Sequence, residues 1–275
     1  MLTNLDALKA PTEAPTKETA NPILKFRRPS QDGPAERTVP PPTRAQRFYL
    51  PIRRLLDFTL ALLLTLLALP VVLLAALAVR LTSRGRAFYT QTRTGKNGKQ
   101  FTIFKIRTMV DNCESLTGPR WTIPGDPRVT PVGWLLRRTH VDELPQLLNV
   151  LKGEMSLIGP RPERPEFVNE LERVIRSYEN RHIALPGITG LAQVQLAPDT
   201  DVESVRRKLH YDLHYVEHMS LWLDVRIMVA TLLHMLGMSF ARLQKLRIVP
   251  GPSQVEGPAL IPLPEDPARV RKQAA

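Results

Sequence analysis

The sequence is poor in cysteine and in aromatic side chains, and both shortages exclude classes of protein. Only one cysteine, Cys113, occurs in 275 residues, which excludes a disulfide within the chain and fits a reducing compartment. Aromatic residues make up 6% of the chain, and none of its basic stretches offers an aromatic platform for stacking bases. A zinc-ligand set and a glycine-rich nucleotide loop are also missing. We therefore expect no nucleic-acid partner.

Acidic residues are fewer than basic ones, with 26 Asp and Glu against 38 Lys and Arg, and the formal net charge is +12. This balance predicts an anionic partner, either a lipid surface or a phosphorylated substrate once nucleic acid is set aside. Residues 1–46 and 249–275 are rich in proline and polar residues, which predicts a disordered arm and a flexible tail. Between them, we expect a membrane helix over 47–86 and a folded domain over 87–248.

One long stretch, residues 58–79, contains no charge and is long enough to cross a bilayer as a helix. Pro70 lies near its middle, where proline removes a helical hydrogen bond, and each half is too short to span alone. Basic residues flank the stretch on both sides, namely Arg47, Arg53, Arg54, Arg80, Arg84 and Arg86. This symmetry favours a cytoplasmic location for both ends. The sequence thus predicts a re-entrant helical hairpin kinked at Pro70, with a straight span or a buried helix as alternatives.

A β-hairpin is predicted after this stretch, because AFYTQT and FTIFKIRT flank the turn-like RTGKNGKQ. Alternation along the second strand places Lys105 and Arg107 on one face, with Phe104 and Ile106 on the other. Two cations on one face favour an anion between them. Strand charges that are simply solvated would give the same pattern.

The stretch THVDELPQLLNVLKG predicts a helix that begins beside two adjacent carboxylates. Thr139 and Asp142 have the spacing of a capping box, and Gly153 suits a helix stop. Four leucines recur at helical spacing and should be buried on one face; they are Leu144, Leu147, Leu148 and Leu151. Asp142 and Glu143 would then lie at the positive end of a helix dipole. Carboxylates are common there because they stabilise the dipole.

The same two carboxylates also suit chemistry on a phosphate. A helix N-terminus favours the ionised form of a carboxylate and attracts phosphate. An ionised Asp142 can act as a nucleophile on phosphorus. Glu143, with Asp142, could hold Mg²⁺, which prefers carboxylate and phosphate oxygens. Two acidic residues that only cap a helix remain the simpler explanation of the pair taken alone.

A proline-clamped arginine follows in GPRPERPEF. Pro160 and Pro162 restrict the backbone on both sides of Arg161, and a stiffly held guanidinium suits bidentate phosphate contact. Arg164 lies close by in the sequence. A proline-rich surface turn is the alternative. The later LPGITG contains glycines that could let the backbone approach a ligand, which is weak evidence by itself.

Taken together, these stretches resemble the bacterial sugar transferase family, the monotopic polyprenyl-phosphate phosphoglycosyl transferases that start glycan and exopolysaccharide assembly. The resemblance runs from about Arg53 to Gly237. It is carried by RRLLDFTLALLL, FTIFKIRTM, DPRVTPVGWLLRRTHVDELPQLLNVLKGEMSLIGPRPERPEF, PGITGLAQV and YDLHYVEHMSLWLDVRI. The chain is similar to the short form of the family, which has only the catalytic unit.

This resemblance implies an α/β, mainly helical fold: a re-entrant helix broken at Pro70 and a small cytoplasmic domain resting on the bacterial inner membrane with amphipathic interfacial helices. It implies transfer of a sugar-1-phosphate from a UDP-sugar to undecaprenyl phosphate. By analogy, Asp142 attacks the β-phosphate, releases UMP and carries a phosphosugar that the polyprenyl phosphate then attacks, while Glu143 assists with Mg²⁺. The cations expected at the substrate phosphates are Lys105, Arg107, Arg161 and Arg164. A homodimer is a further expectation.

Three positions depart from the family pattern. Leu69 stands before the kink proline where many members have serine, Leu185 replaces a usual Lys or Arg, and Leu191 replaces a common tryptophan. These changes affect fine substrate contacts rather than the chemistry. The apolar residues 220–243, with Trp222, favour an interfacial membrane helix, and a core helix is the alternative.

Two rival hypotheses remain open at the level of the sequence. A membrane-tethered basic scaffold without catalysis would show the same charge and the same apolar stretch. An enzyme in which polyprenyl phosphate attacks the UDP-sugar directly, with Asp142 only binding metal or acting as a base, would use the same residues. His140 and His182 are more simply explained as exposed or hydrogen-bonded side chains than as proton carriers. The sequence does not specify the sugar or the glycan.

Overall fold

The computed structural model describes residues 39–115, 118, 125–199 and 201–256. Within these ranges the chain is mostly helical and has two small sheets of two strands each, which confirms that part of the predicted fold class. The α-helices are α1 Arg44–Thr82, α2 Pro131–Thr139, α3 Leu147–Lys152, α4 Pro165–Val174, α5 Val202–His218, α6 Leu221–Met235, α7 Phe240–Lys245 and α8 Pro252–Val255. The strands are β1 Phe88–Thr94, β2 Gln100–Ile106, β3 Ser156–Ile158 and β4 Gly187–Thr189. Three 3-10 helices cover Lys96–Gly98, Val141–Gln146 and Tyr178–Ile183.

The predicted arm and tail fall mostly outside the described residues. Of residues 1–46, the structure describes 39–46, and α1 already begins at Arg44. Of residues 249–275, it describes 249–256, which include α8.

The long apolar stretch forms one helix, α1, of 39 residues. A capping box starts it, because Thr43 Oγ1 accepts from Gln46 N at 3.2 Å and Gln46 Oε1 accepts from Thr43 N at 2.9 Å. The sequence predicts a re-entrant hairpin kinked at Pro70, and α1 is continuous through both Pro51 and Pro70, each of which lacks the N–H that a helical hydrogen bond needs. The re-entrant arrangement stays a prediction. By length and composition α1 is able to cross a membrane.

Both ends of α1 pack against the same globular body. Near its start, Asp57 is buried and accepts a hydrogen bond from Ser156 Oγ at 2.7 Å. Near its end, Val79 is buried in an apolar cluster with Ile106 and Leu136. The residues between these contacts leave much apolar surface exposed, including Leu62, Leu66, Leu67, Leu73 and Leu74.

Two arginines of the predicted basic flank bind within the protein. Arg53 is buried and donates to Ser156 Oγ at 2.6 Å. Arg54 donates to Val150 O at 2.7 Å, at the end of α3. These two side chains fasten α1 to the body, so the charge argument for the location of both helix ends depends on the other flanking arginines.

The predicted β-hairpin is confirmed. β1 and β2 pair in antiparallel register, with Tyr89 opposite Lys105. Asn97 and Gly98 in the connection have φ of 54° and 74°, a backbone region that asparagine and glycine adopt most readily. One face of this hairpin lies against residues that come later in the chain.

The second sheet explains the glycines of LPGITG. β3 and β4 run parallel, and a Cβ on Gly187 would lie 2.1 Å from Gly159 N. A Cβ on Gly190 would lie 2.2 Å from Gly159 O. These glycines allow two protein segments to approach closely, rather than a ligand as the sequence suggested.

The helix predicted from Asp142 onward has a different start. Thr139 does not cap it, because Thr139 ends α2 and donates its Oγ1 to Leu135 O at 2.9 Å. His140, with φ 55°, joins α2 directly to the 3-10 helix Val141–Gln146. The prediction of a capping box at this point is therefore wrong, although Asp142 does lie in the first turn of a helical segment.

The leucine face of this segment is only partly buried. Leu147 is buried, whereas Leu148 is 44% exposed, so the prediction that all four leucines share a buried face is wrong. The 3-10 helix before α3 has three residues per turn instead of 3.6, so the leucine side chains do not all point to the same side. Gly153, with φ 84°, ends α3 as predicted.

Helix α6 has two apolar faces. Leu223 and Ile227 are buried in the core, whereas Trp222 is 70% exposed. Arg226 points back to the protein and donates to Arg247 O at 3.0 Å. The segment is thus a core helix on one side and an exposed apolar surface on the other, and contact of that surface with a membrane stays a prediction.

Candidate active site

A cleft of ≈ 610 Å³ opens beside the β1–β2 hairpin. Its other walls are the residues that follow β2, the 3-10 helix Val141–Gln146 and the turn before α4. The basic side chains that line it are Arg93, Lys105, Arg107, Arg137, Arg161 and Arg164. The acidic ones are Asp111, Glu114, Asp142, Glu143 and Glu163. Because the two sets are nearly equal in number, their pairing decides which groups are available to a ligand.

Asp142 is the acidic side chain of the cleft that has no partner. It is 7% exposed, and no described residue makes a hydrogen bond or an ion pair to its carboxylate. The other four each form an ion pair. The residue is largely buried, but its carboxylate oxygens keep some contact with solvent in the cleft and have no protein partner, a state expected mainly where a carboxylate has a function.

Burial raises the pKa of Asp142. The negative charge of Glu143 raises it further, while Lys105, Arg137 and Arg161 act in the opposite direction. A carboxylate in this position would be stabilised by losing its negative charge, either to a proton or to a covalent bond.

Glu143 is held in a different way, by two cations at once. Its Oε1 accepts from Lys105 Nζ at 2.8 Å and from Arg161 Nη2 at 2.5 Å, and its Oε2 accepts from Arg161 Nη1 at 3.2 Å. Burial alone would raise the pKa of Glu143, but the charges of Arg161 and Lys105 outweigh burial and hold the pKa well below its ordinary value. Glu143 is therefore ionised throughout the physiological range.

The structure brings four of the sequence-predicted residues together: Asp142, Glu143, Lys105 and Arg161 meet at one point of the cleft. Arg161 reaches it from the Pro160–Pro162 turn and faces Glu143 in a bidentate arrangement, which also suits a phosphate. A substrate phosphate at this point would share Lys105 and Arg161 with Glu143.

The other two predicted cations line the same cleft but have separate protein partners. Arg107 donates to Ser83 O at 3.1 Å and to Arg84 O, and so binds the carbonyl end of α1. Arg164 donates to both oxygens of Glu114, at 2.8 and 3.0 Å. Arg107 in particular has a structural role that the alternation of the strand did not indicate.

Sequence reasoning missed the contribution of β1. Tyr89, Gln91 and Arg93 alternate along this strand and all line the cleft. The period-two rule that selected Lys105 on β2 would have selected them if applied to YTQTR as well. It also missed Arg137, which donates from Nε to Thr108 Oγ1 at 2.8 Å, and whose charge acts on Asp142.

The remaining candidates lie in different surroundings. Pro70 is exposed in the middle of α1 and does not line the cleft. His140 and Cys113 do line it. His182 lies outside it, and burial together with Arg181 lowers the pKa of His182 to about 4, so this side chain is neutral near pH 7.

The donor set around Asp142 is compatible with one Mg²⁺ but not with a cage made by the protein alone. Among the described residues, no group of three or more Asp, Glu, His or Cys side chains is placed to hold a metal. Mg²⁺ commonly takes one or two carboxylates, with water and phosphate oxygens as its other ligands. Because cations already occupy both oxygens of Glu143, Asp142 and a substrate phosphate would have to supply most of the ligands.

The fold and the cleft together define an α/β protein with one long apolar helix and a cationic cleft around an unpaired carboxylate. A family model described as bacterial sugar transferase matches residues 48–238. The chain therefore belongs to the bacterial sugar transferase family.

Several relatives share this region. A UDP-N-acetylgalactosamine-undecaprenyl-phosphate N-acetylgalactosaminephosphotransferase of Aeromonas hydrophila is 43% identical over 184 residues, which are 67% of this chain and 43% of that protein. A UDP-glucose:undecaprenyl-phosphate glucose-1-phosphate transferase of Caulobacter vibrioides is 46% identical over 183 residues, 65% of this chain and 67% of that protein. The exopolysaccharide production protein PSS of Rhizobium leguminosarum bv. phaseoli is 38% identical over 187 residues, 66% of this chain and 94% of that protein. The matched region thus spans less than half of the Aeromonas protein and nearly all of the Rhizobium protein.

Proposed function

We propose that this protein transfers a sugar-1-phosphate from a UDP-sugar to undecaprenyl phosphate, as a first step of glycan or exopolysaccharide assembly. The names of the Aeromonas and Caulobacter relatives describe this reaction with two different sugars. The observation that carries the proposal is the state of Asp142: it is buried and unpaired among the cations of an open cleft. That is the arrangement expected of a group that reacts rather than one that only holds the fold.

Asp142 is proposed as the nucleophile. Its carboxylate oxygen forms a bond to the β-phosphorus, the bond from that phosphorus to the bridging oxygen breaks, and UMP leaves with the electron pair. The carboxylate loses its negative charge when it becomes an acyl phosphate, which removes the penalty that burial and Glu143 impose on it. An oxygen of undecaprenyl phosphate then attacks the same phosphorus, and Asp142 is regenerated.

Lys105 and Arg161 are proposed to bind the diphosphate. Both already hold an anion, Glu143, so they are desolvated and oriented before the substrate arrives. Glu143 fixes these two cations beside Asp142, and the substrate phosphate competes with it for their donors. Mg²⁺, if bound by Asp142 and substrate oxygens, would neutralise charge on the diphosphate and on the departing UMP.

The membrane arrangement we propose is re-entrant, with both ends of α1 on the cytoplasmic face of the bacterial inner membrane. Support comes from the packing of α1, because Asp57 near its start and Val79 near its end contact one body. The exposed apolar middle of α1 and the exposed face of α6 around Trp222 would face lipid. A catalytic domain at this boundary could reach a soluble UDP-sugar and a lipid-borne phosphate.

A burst experiment tests the reaction and its mechanism together. Detergent-solubilised protein is mixed with Mg²⁺ and a panel of UDP-sugars in the absence of acceptor, and UMP is measured. The covalent mechanism predicts about one equivalent of UMP per active enzyme and a phosphosugar adduct on Asp142 by mass spectrometry. Direct attack by undecaprenyl phosphate predicts UMP only when the acceptor is present. Absence of UMP with every sugar, with and without acceptor, would contradict the function itself.

The topology is tested separately, by labelling cysteines from one side of the membrane. In a Cys113→Ser background, Arg47→Cys and Arg86→Cys place single exposed thiols beyond the two ends of the apolar stretch. The re-entrant arrangement predicts that both react with an impermeant maleimide only after the inner membrane is opened. Labelling of one of them in cells with an intact inner membrane would establish a span instead.

A further inference from the structure

The turn that carries Arg161 is fastened at four consecutive backbone carbonyls. Each accepts a hydrogen bond from a different residue outside the turn. The pairs are Pro160 O with Gly187 N at 2.9 Å, Arg161 O with Arg181 Nη2 at 2.8 Å, Pro162 O with Arg93 Nη1 at 3.2 Å and Glu163 O with Thr94 N at 2.9 Å. The two proline rings limit the dihedral angles of this turn, but these bonds fix where it lies.

Arg181 is the donor at the residue that matters most, because it binds the carbonyl of Arg161 itself. It comes from the 3-10 helix Tyr178–Ile183, is 2% exposed and does not line the cleft. Its Nη1 donates to Tyr178 OH at 2.6 Å, and its Nη2 forms an ion pair with Asp212 Oδ2 of α5 at 2.7 Å. Burying the charge of Arg181 costs free energy, and an apolar side chain could fill the same space without that cost.

We propose that Arg181, held by Asp212, is a positioning residue that sets Arg161 for contact with substrate phosphate. This inference rests on the proposed function, in which Arg161 binds the diphosphate. Within the part of the chain that the structure describes, Glu143 is the one partner of the Arg161 guanidinium, and the substrate competes for this tip of the side chain. When the tip is released to the phosphate, the backbone anchor at Arg181 is what keeps the guanidinium in place.

The guanidinium of Arg181 is needed in this arrangement, and an ammonium would not replace it. One nitrogen faces Tyr178, and the other faces both Arg161 O and Asp212. A planar fork holds these directions at once, whereas lysine offers a single point charge. Arg181→Lys therefore retains the buried charge pair with Asp212 and loses the fixed contact with Arg161 O. A displacement of about 1 Å in a substrate-binding group can lower a rate by up to about 100-fold.

A double-mutant cycle tests whether Arg181 acts through Arg161. Four proteins are compared: the parent, Arg181→Lys, Arg161→Ala and the double variant. The readouts are kcat and KM for UMP release and the Kd for UDP. We expect Arg181→Lys to weaken UDP binding and to lower kcat/KM by about 10-fold in the parent, and by less than about 2-fold when Arg161 is already alanine. Equal effects in both backgrounds, or no effect in the parent, would overturn the proposal.

A matched control separates positioning from general stability. Arg206 on α5 also donates to a backbone carbonyl of another segment, Val174 O at 3.1 Å, but Val174 does not line the cleft, whereas Arg161 does. Arg206→Lys should leave UDP binding and kcat unchanged. If Arg181→Lys lowers the Tm, and the loss of activity disappears when the temperature is kept well below the Tm, then Arg181 has only a structural role and the inference is wrong.

The UDP measurement keeps this inference distinct from the proposed function. If the parent binds UDP but releases no UMP from any UDP-sugar, the transferase function fails, while the binding cycle still decides whether Arg181 positions Arg161. If the parent releases UMP but Arg161→Ala leaves both the Kd for UDP and kcat/KM unchanged, the positioning inference fails and the transferase function survives. If the parent neither binds UDP nor releases UMP, both fail.

Discussion

Two buried polar clusters in this molecule differ in how completely their carboxylates are paired. The junction cluster fastens α1 to the body and consists of Tyr49, Arg53, Asp57, Ser156, Tyr215 and Asp224. There, Asp57 accepts from Ser156 Oγ at 2.7 Å and Leu157 N at 3.1 Å, and Asp224 accepts from both tyrosine hydroxyls. The cleft pair consists of Asp142 and Glu143, and only Glu143 is paired.

The difference teaches how to distinguish a structural cluster from a reactive one. Buried charges that serve the fold are normally satisfied on every side, because an unpaired buried charge costs several kcal/mol. Both carboxylates of the junction cluster meet this rule, whereas Arg53 Nε has ion-pair contacts at 3.5 and 3.8 Å but no hydrogen-bond partner. Loss of the cluster should affect stability. The cleft pair breaks the rule at one residue, and loss of that residue should affect activity.

The largest expected effect is on the activity of Asp142→Asn. The amide has nearly the same shape but is not a nucleophile, so we expect UMP release to fall by a factor on the order of 10³ or more, with the initial burst abolished. Coupled detection of UMP in the presence and absence of acceptor measures both. Residual turnover above a tenth of the parent rate would show that Asp142 does not perform the chemistry.

The next effect reverses the comparison, because Asp224→Asn should damage stability rather than chemistry. Burial raises the pKa of Asp224, so its charge has a cost of its own, but the amide leaves Arg53 buried with Asp57 as its remaining carboxylate partner and deprives one of the Tyr49 and Tyr215 hydroxyls of its oxygen acceptor. We therefore expect a loss of about 3 kcal/mol in the free energy of unfolding. Denaturant unfolding in detergent measures it, with kcat determined on the folded fraction. The exposed pair of Glu203 with Arg206 at 3.7 Å supplies the control, since Glu203→Gln should cost less than about 1 kcal/mol.

A smaller effect concerns the pH dependence of the reaction. Glu143 raises the pKa of Asp142, so Glu143→Gln should lower that pKa. The acidic limb of the pH profile of kcat/KM, where the nucleophile becomes protonated, should then move to lower pH, even if the maximal rate falls. A limb that stays in place would mean that Asp142 is not the group that titrates.

The smallest expected effect is on thermal stability, where substitutions of Asp142 and Glu143 should change the Tm in opposite directions. The folded pKa of Asp142 is raised above the ordinary 3.8, so its ionisation costs stability at neutral pH. Asp142→Asn should raise the Tm near pH 7, and this gain should vanish as the pH falls to about the ordinary pKa of 3.8.

Glu143 has a lowered pKa, so its contribution to stability is present above the ordinary pKa of 4.5 and is lost as the pH falls through the folded pKa. Glu143→Gln should therefore lower the Tm near pH 7, and this loss should shrink in acid.

Much of this arrangement could be predicted from local patterns. Alternation located β2, turn residues located the hairpin, and Gly153 marked the end of α3. The family was recognised from the long stretch that includes Asp142 and Arg161, and the match over residues 48–238 confirms it. These features depend on short-range backbone preferences or on motifs that are contiguous in sequence.

The rest could not be predicted because it depends on contacts between distant segments. Arg181 reaches Arg161 O from 20 residues away, and Arg53 meets Ser156 from 103 residues away. The cap assigned to Thr139 was wrong because His140 takes a left-handed conformation and starts a new helical segment. Local spacing does not contain this information.

The way α1 is built into the body has a consequence for handling the protein. Ala61 and Val79 of this helix are completely or almost completely removed from solvent, and Asp57 satisfies a buried hydroxyl on β3. A fragment that starts after residue 86 would uncover an apolar surface around Ile106 and Leu136 and would leave Ser156 without its acceptor. The body that carries the cleft is therefore not severable from α1, and any preparation that keeps the cleft intact has to include this apolar helix.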